Sequence, residues 1–242
     1  MDMESVSRKL ATWIKEKVKE AGCRGVVLGL SGGLDSSVLA VLCQRALPQN
    51  TLALLMPCHS IDTDRIHAEM VAKKFSIPTR IVPLDNVYDS LLETLPDFQP
   101  DAEVAKLTHA NIKTRLRMIT LYYTANQLRY IVAGSSNRSE LTIGYFTKYG
   151  DGGVDIIPLG NLVKSQVREL ARYLEIPGEI IVKPPSAGLW EGQTDEEEMG
   201  LTYEVLDNYI LAGNAPVELK KTLEARKSAS FHKREAPPIA PV

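Results

Sequence analysis

Four short apolar runs alternate with helical patterns along the first 134 residues of the chain. They fall at 25–30, 51–56, 79–84 and 129–134, and Val, Leu and Ile dominate them. Strands that are separated by helices pair in parallel, because each connection has to cross back over the sheet. The sequence therefore predicts an α/β fold of three layers, with a mostly parallel, doubly wound sheet between two layers of helices.

The helices around these strands are expected from apolar residues that recur at helical spacing, as Leu10, Trp13 and Ile14 do. The region after residue 134 is rich in Gly, Ser and Asp, and a short strand near 154–158 and a mobile loop over 183–199 are expected there. Asp195 to Glu198 are interpreted as the acidic first turn of a helix rather than as a metal site. The expected helices cover 3–21, 36–48, 62–75, 86–95, 103–128, 164–174, 199–211 and 216–229.

Charge and cysteine content exclude several classes of protein. The 242 residues carry 28 basic and 30 acidic side chains, which gives a net charge of −2 and no basic excess for nucleic-acid binding. Cys23, Cys43 and Cys58 form no CxxC pair, which argues against redox, zinc and iron–sulfur sites. Because no signal peptide or membrane-length apolar run is present, a cytoplasmic protein without membrane contacts is expected.

The segment 31–37, SGGLDSS, lies between the first predicted strand and a helix. Its glycines allow backbone amides to approach an anion, and the helix N-terminus adds further donors. It is neither a Walker A loop nor a dinucleotide fingerprint, since GxxxxGK and GxGxxG are both absent. Asp35 is best explained by a Mg²⁺ ion that accompanies the anion, although a tight turn with Ser or Asp caps is the alternative.

A second polar cluster follows the fourth predicted strand. It comprises GSSNRSE at 134–140, GYFTKYGDGG at 144–153 and Asp155. Because the carboxyl ends of parallel strands meet at one edge, this cluster is expected beside the first loop. Glu140 is then a candidate to join Asp35 on the metal, and Lys148 to meet a phosphate or carboxylate. The alternative for this cluster alone is a solvated loop with turn glycines.

These motifs resemble those of the ammonia-dependent NAD⁺ synthetases. Four further segments share the resemblance: NIKTRLRM (111–118), PLGNLVKSQVREL (158–170), PSAGLWEGQTDEEEMG (185–200) and FHKRE (231–235). SGGLDSS is similar to the phosphate loop of the wider group of N-type ATP pyrophosphatases. The resemblance spans nearly the whole chain and implies an adenine nucleotide alpha-hydrolase-like fold. It also implies a single synthetase domain over 1–242, without a glutaminase domain.

The resemblance assigns ATP and metal contacts position by position. Asp35 and Glu140 correspond to Mg²⁺ ligands. Ser135 and Ser186 stand where the family usually has Thr, so the hydroxyl is kept. The implied ATP-binding residues are Gly29, Leu30, Ser31, Gly32, Gly33, Leu34, Asp35, Ser36, Ser135, Lys164 and Ser186.

The resemblance also assigns the second substrate, deamido-NAD⁺. Asp151 is expected beside the nicotinate, where it helps to orient ammonia, and it joins Asp35 and Lys164 as an expected catalytic residue. Arg117 by itself would be a solvated residue on a helix face, and His232 and Lys233 part of a charged tail. The implied substrate contacts are Arg117, Lys148, Asp155, His232 and Lys233.

The implied reaction has two steps and uses free ammonia, unless a separate subunit supplies the ammonia. The nicotinate carboxylate attacks the α-phosphorus of ATP and releases pyrophosphate; ammonia then converts the acyl-adenylate to the carboxamide of NAD⁺ and releases AMP. The helix 103–128 carries more apolar surface than one sheet face needs, at Val104, Leu107, Leu116, Ile119 and Tyr123. The resemblance implies a homodimer and assigns this helix to its interface.

Two other functions remain possible from the sequence alone. One is another amide-forming or thiolating ATP pyrophosphatase, of the GMP-synthetase or tRNA-modifying type. The absence of CxxC pairs and of a basic surface argues against tRNA thiolation. The other is a nucleotide-binding regulatory protein without catalysis, which the joint presence of Asp35, Glu140, Lys148 and Lys164 argues against.

Overall fold

The computed structural model describes residues 1–190 and 192–241. Four strands form one sheet, β1 (Gly25–Gly29), β2 (Thr51–Leu55), β3 (Thr79–Ile81) and β4 (Tyr130–Ala133), in the spatial order β3-β2-β1-β4. All three pairings are parallel, with Val26 of β1 opposite both Thr51 and Ile131. The predicted α/β fold with a parallel, doubly wound sheet is therefore confirmed.

Helices connect and cover the strands. Most lie within a few residues of their predicted bounds. They are α1 (Met3–Glu20), α2 (Leu34–Ala46), α3 (Asp62–Lys74), α4 (Asp85–Thr94), α5 (Ala102–Leu128), α6 (Arg138–Ile143), α7 (Lys164–Tyr173), α8 (Gly178–Val182), α9 (Asp195–Met199), α10 (Tyr203–Ala212) and α11 (Val217–Ala229), followed by a 3₁₀ turn at Phe231–Lys233.

The sheet separates two apolar cores because successive side chains of a strand point to opposite faces. Val26 and Leu28 of β1 pack against α1, α2, α3 and α7, whereas Val27 packs against α4 and α5. A third, smaller cluster around Leu206 and Leu223 joins α6, α10 and α11. The helices therefore form layers on both faces, as expected, and the third cluster attaches the C-terminal helices beside the sheet edge.

The predicted strand near 154–158 is wrong: only one parallel bridge, Ala133 to Ile156, is formed there. The amide of Val132 donates to the Asp155 side chain at 2.7 Å instead of to a backbone carbonyl, so the ladder stops after one bridge. The third strand is also shorter than the predicted 79–84: it ends at Ile81, although the amides of Val82 and Leu84 still donate to the carbonyls of Leu55 and Pro57 at 2.8 Å.

In place of a single helix predicted over 199–211, the structure has α10, which is preceded by the separate short helix α9. Gly200 adopts a left-handed conformation with φ of 66° and ends α9, and α10 then begins under a cap from Thr202. The first turn of α9 holds the four acidic residues Asp195 to Glu198, as predicted. The expected loop 183–199 therefore ends in a helix. None of the described helices is long and apolar enough to cross a membrane.

Candidate active site

A cavity of about 730 Å³ opens at the carboxyl ends of the strands. Residues that follow β1, β2 and β4 line it, among them Leu30, Met56 and Gly134. The chain runs from β1 through β2 to β3 and then returns to the other side of β1 to form β4. The cavity thus lies at the point where the strand order reverses, which is where open α/β sheets bind ligands.

The loop between β1 and α2 forms one wall of this cavity. The N-cap of α2 is Gly33, which provides no side-chain acceptor to the first turn of the helix. The Ser36 hydroxyl donates to the Gly33 carbonyl at 3.1 Å and lies 3.0 Å from the Ser31 hydroxyl, which fixes the loop. The first-turn amides therefore remain available to an anion, and the helix dipole favours one.

Gly32 faces away from the cavity and packs against α3. Its φ is 79°, and a Cβ at this position would lie 2.1 Å from the carbonyl oxygen of Asp64. The other predicted loop residues, from Gly29 to Ser36, line the cavity, as do Ser135 and Ser186. Gly32 therefore packs against α3 and is not among the residues that line the cavity. Its contact with ATP stays a prediction.

The centre of the site is an ion cluster of two carboxylates and one ammonium. Lys164 Nζ donates to Asp35 Oδ2 at 2.5 Å and lies 3.4 Å from Glu140 Oε1. The side chain of Lys164 is only 4% exposed, and those of the two carboxylates are 15% exposed. Three residues that are far apart in the sequence, all of them predicted for the site, are thereby brought together.

Asn137, which the sequence interpretation missed, connects the two carboxylates. It caps α6 in a reciprocal arrangement: its side chain accepts from the Glu140 amide at 3.1 Å, and its own amide donates to Glu140 Oε2 at 3.1 Å. Its side-chain amide also donates to Asp35 Oδ1 at 3.1 Å. The N-x-x-E pattern of a capping box is the sequence signal that identifies this residue.

Burial and charge shift the pKa values of the cluster. Burial, reinforced by the negative charge of Asp35, raises the pKa of Glu140 to about 8, although Lys164 acts in the opposite direction. Burial would lower the pKa of Lys164, but the two carboxylates outweigh it and the net shift is upward. The lysine is therefore charged at neutral pH, and additional positive charge near Glu140 would favour its ionised form.

The same carboxylates could hold a divalent cation. Among the described residues no group of three or more His, Cys, Asp and Glu side chains forms a metal site by itself. Asp35 and Glu140 nevertheless converge beside the anion-binding start of α2, and Mg²⁺ commonly takes one or two carboxylates together with phosphate oxygens. The donor set fits Mg²⁺ that arrives with a bound phosphate chain.

The other side of the cavity carries Asp151, Arg117 and Lys233. The Thr147 amide donates to Asp151 Oδ1 at 2.8 Å, and burial raises the pKa of Asp151. Arg117, from α5, donates to the Met56 carbonyl and to the Ser60 hydroxyl, both at 3.2 Å. This half of the cavity thus presents two cations and one carboxylate to a second ligand.

Lys233 reaches the cavity although it lies near the end of the chain. Its ammonium donates to the carbonyls of Gly144 at 2.9 Å and Phe146 at 2.8 Å. These bonds tie the 3₁₀ turn at Phe231–Lys233 to the segment that carries Asp151. The tail is therefore part of the site in this structure.

Three residues predicted to hold the second substrate do not line the cavity: Lys148, Asp155 and His232. Lys148 Nζ donates to the backbone carbonyl of His232 at 2.5 Å. Both carboxylate oxygens of Asp155 accept hydrogen bonds, one from the Val132 amide at 2.7 Å and one from the Tyr122 hydroxyl at 2.9 Å. In the single chain these residues anchor the walls of the site rather than face its interior.

Tyr203 and Asp195 belong to the centre although no sequence pattern pointed to them. The Tyr203 hydroxyl donates to Asp195 Oδ2 at 2.9 Å and lies 3.3 Å from Glu140 Oε1. Burial, together with the nearby carboxylates, raises the pKa of Tyr203. The tyrosine is therefore a neutral hydrogen-bond donor, and it ties α9 to the ion cluster.

The segment 183–190 crosses the cavity between α3 and α5. Lys183 pairs with Asp64 of α3, and the buried Lys113 of α5 donates to the Leu189 carbonyl at 2.9 Å. The ammonium of Lys106, two turns earlier on α5, lies 4.1 Å from the centre of the Trp190 ring. These contacts hold the segment as a cover over the site.

Comparison with known proteins agrees with the resemblance seen in the sequence. The family model described as NAD synthase matches residues 6–237. A protein of Syntrophomonas wolfei that is named NH(3)-dependent NAD(+) synthetase is 49% identical over 241 residues, which are 99% of this chain and 97% of that protein. The resemblance to this family is thereby confirmed.

Two solved structures share the fold along their whole length. The NMN synthetase from Francisella tularensis superimposes with a TM-score of 0.92 at 35% identity, covering 99% of each chain. The NH3-dependent NAD synthetase from Campylobacter jejuni superimposes with a TM-score of 0.82 at 32% identity, covering 100% of each chain. The two relatives are named for different products, NMN and NAD⁺.

Proposed function

The chain belongs to the NAD synthase family, and we propose that it amidates deamido-NAD⁺ with ammonia at the expense of ATP. The products are NAD⁺, AMP and pyrophosphate, so that the enzyme is an AMP-forming ligase of the final step in NAD⁺ biosynthesis. One observation carries the proposal: the ion cluster of Asp35, Glu140 and Lys164 lies beside the open N-terminus of α2, in the same cavity as Arg117 and Asp151.

In the first step the nicotinate carboxylate attacks the α-phosphorus of ATP, and pyrophosphate leaves. The amides at the start of α2 and the Lys164 ammonium are placed to stabilise the negative charge that grows on the leaving group. When bound, Mg²⁺ on Asp35 and Glu140 would neutralise part of the same charge. Arg117 would hold the acceptor so that its carboxylate faces the phosphate chain.

In the second step ammonia attacks the acyl carbon, and AMP leaves with the oxygen that came from the carboxylate. Adenylation is required because a carboxylate does not react with ammonia at neutral pH. Asp151, on the acceptor side of the cavity, would orient the ammonia. The cover over 183–190 would exclude water, which would otherwise hydrolyse the acyl-adenylate. The name of the Syntrophomonas wolfei relative supports ammonia as the nitrogen source.

A second candidate is the amidation of the deamido-mononucleotide, which would give NMN. The observation that favours it is the higher TM-score of the Francisella tularensis NMN synthetase, 0.92 against 0.82. The position of Lys148, Asp155 and His232 outside the cavity of the single chain also leaves fewer acceptor contacts than the resemblance implies, which suits a smaller acceptor. The sequence relatives favour the dinucleotide as first candidate.

A direct comparison of acceptors separates these functions. The purified protein receives Mg·ATP and ammonium with deamido-NAD⁺, the deamido-mononucleotide or XMP, and pyrophosphate release is measured. We expect the largest kcat/KM with deamido-NAD⁺. Preference for the mononucleotide would establish the second candidate, and preference for XMP would indicate a GMP-synthetase-type enzyme. Nucleotide binding without pyrophosphate release would indicate a regulatory protein.

We further propose a homodimer with α5 at its interface. Val104, Leu107, Ile119 and Tyr123 on this helix are each more than half exposed in the single chain, whereas Leu116 is buried in the core and does not belong to that surface. A partner there would pack against the helix that carries Arg117, which points into the cavity from the other side of α5. The single domain without a glutaminase part and the cytoplasmic location stay predictions.

A further inference from the structure

Asp207 is a buried carboxylate on α10 and lies outside every motif that was identified in the sequence. The residue is 4% exposed, and both of its carboxylate oxygens accept hydrogen bonds. Oδ2 accepts from the backbone amide of Ser165 at 2.7 Å, and Oδ1 accepts from the hydroxyl of Ser139 at 2.6 Å. A carboxylate is costly to bury, so its presence here requires a structural or catalytic reason.

Ser139 extends this contact to the first residue of α7. Its side chain is fully buried, and its oxygen accepts from the backbone amide of Lys164 at 3.1 Å. The two leading amides of α7 are therefore satisfied by Ser139 and Asp207, which belong to α6 and α10. Both partners come from elements other than α7 itself.

The helix cannot provide this cap locally. The residue at its N-cap position is Val163, whose side chain has no acceptor atom. A carboxylate near the start of a helix is also favoured by the helix dipole. Asp207, which lies more than forty residues further along the chain, therefore serves as the cap that Val163 does not provide.

The position that this cap fixes is Lys164, the first residue of α7, whose ammonium bridges Asp35 and Glu140. We propose that Asp207 is a positioning residue of the adenylation centre: through Ser139 and the start of α7 it holds the Lys164 ammonium against the two carboxylates. The inference rests on the proposed function, since it assigns Lys164 to the leaving pyrophosphate. Asp207 itself does not touch the substrates.

The kinetic test uses Asp207→Asn, which keeps the size of the side chain but replaces one acceptor by a donor. Displacement of a catalytic group by a fraction of its contact distance reduces turnover steeply. We expect kcat for pyrophosphate release to fall about 10- to 100-fold, the range found when a supporting partner of a site residue is removed. KM for the acceptor is expected to stay near the wild-type value, because Arg117 and Asp151 are untouched.

The matched control is Thr202→Ala, which removes the cap of the same helix α10 without touching α7. The Thr202 hydroxyl accepts from the Val205 amide at 3.4 Å. If Asp207 only stabilised α10, both variants would lower the melting temperature and leave kcat per folded molecule unchanged. That outcome would overturn the proposal, whereas a kcat loss confined to Asp207→Asn supports it.

A double-variant cycle provides a second kinetic criterion. Ser139→Ala removes the intermediate link, so Asp207→Asn should add little to its effect on kcat if the two residues act in one chain of contacts. We expect the double variant to lose no more activity than the more affected single variant. Losses that multiply would show independent roles and would contradict the proposed path.

Hydrogen exchange tests the positioning without any turnover. The amides of Lys164 and Ser165 should exchange faster in Asp207→Asn than in the wild-type protein or in Thr202→Ala, while the rest of α7 remains protected. Unchanged exchange at these amides would refute the proposal. This measurement needs no substrate, so it tests the positioning of Lys164 separately from the proposed function. If the wild-type protein released no pyrophosphate, the proposed function would be refuted. Hydrogen exchange would then still decide whether Asp207 positions Lys164.

Discussion

Asp35 is the residue whose removal has the clearest expected consequence. It accepts from Lys164 at 2.5 Å and from Asn137 at 3.1 Å, and it faces the phosphate loop. We expect Asp35→Asn to reduce pyrophosphate release about 100-fold or more, because it removes a carboxylate that would hold the metal and leaves Glu140, within the described part of the chain, as the remaining ion-pair partner of Lys164. Pyrophosphate release from Mg·ATP and deamido-NAD⁺ measures the effect.

The control for this variant is its thermal unfolding followed by circular dichroism. An amide can still accept from Lys164, so the cooperative transition should be retained, with a modest shift in Tm. A folded Asp35→Asn protein with turnover near the wild-type rate would show that this carboxylate has no catalytic or metal-binding role.

Lys148 is expected to act on the acceptor rather than on ATP. Its ammonium holds the backbone of His232 at 2.5 Å, next to Lys233, which reaches the cavity. Because Lys148 bonds to the chain itself and not to the substrate, its loss should act on acceptor affinity by releasing the tail that carries Lys233. Lys148→Ala should therefore raise KM for deamido-NAD⁺ by about tenfold or more, measured by initial rates at saturating ATP.

The exposed Lys221 on α11 provides the matched control, because Lys221→Ala removes an ammonium that has no part in the site. KM for ATP should stay unchanged in both variants. If Lys148→Ala instead weakened ATP and left the acceptor unaffected, Lys148 would belong to the nucleotide half of the cavity.

At the scale of elements, the contact between the phosphate loop and α3 depends on Gly32. Its left-handed backbone and the 2.1 Å approach of the Asp64 carbonyl leave no room for a side chain. Gly32→Ala should displace α3 from the loop, lower the free energy of unfolding by about 1–3 kcal/mol and weaken ATP binding. Denaturant unfolding and ATP titration measure the two effects.

Gly33→Ala is the comparison for this prediction. A Cβ at Gly33 would meet only the Ser31 hydroxyl at 3.4 Å, and Gly33 has no left-handed backbone. It should therefore cost less stability than Gly32→Ala. Equal or reversed losses of stability would show that the approach of α3 does not restrict the loop.

The elements with a strong local signal are the ones that the sequence predicts well. The four strands and the phosphate loop follow from apolar runs and from glycines between a strand and a helix. The strand near 154–158 fails because the Asp155 side chain takes the Val132 amide, a tertiary contact that strand propensity does not contain. Gly200 divides the predicted helix 199–211, because it ends α9 in a left-handed conformation.

The residues of the site also divide into those that the sequence predicts and those that depend on tertiary contacts. Asp35, Glu140 and Lys164 can be predicted because each lies in a recognisable motif, and the parallel sheet brings their segments to one edge. Asp195, Tyr203 and Asp207 could not be ranked from sequence alone, since their importance depends on which neighbour they meet, whereas Asn137 has the N-x-x-E signal of a capping box. Lys148 and Asp155 are assigned to the acceptor by resemblance, whereas in the structure they bond to the His232 carbonyl and to the Val132 amide and Tyr122 hydroxyl.

At the scale of the whole molecule, the apolar face of α5 predicts a dimer. Ile119 and Tyr123 are 57% and 65% exposed, a combination that favours burial against a partner. Light scattering at micromolar concentration should give about twice the chain mass of 26.7 kDa. Ile119→Arg should shift the protein toward the monomer and raise KM for the acceptor, because α5, which the interface would support on one side, carries Arg117 toward the cavity on the other.

Val182→Arg on α8 is the control for that variant, since Val182 is also exposed but belongs to a helix that packs against α7. It should leave the mass of the dimer unchanged. A monomeric wild-type protein with full activity would contradict both the interface and its contribution to the acceptor site.

The central claim is that the cavity joins a carboxylate to the α-phosphorus of ATP before ammonia enters. The most direct measurement follows oxygen: deamido-NAD⁺ whose nicotinate carboxylate carries a heavy oxygen isotope is converted with Mg·ATP and ammonium, and the products are analysed by mass spectrometry. The account predicts that one labelled oxygen per turnover appears in AMP and the other remains in the carboxamide of NAD⁺. Label in inorganic phosphate with ADP as coproduct, or label only in water, would contradict it.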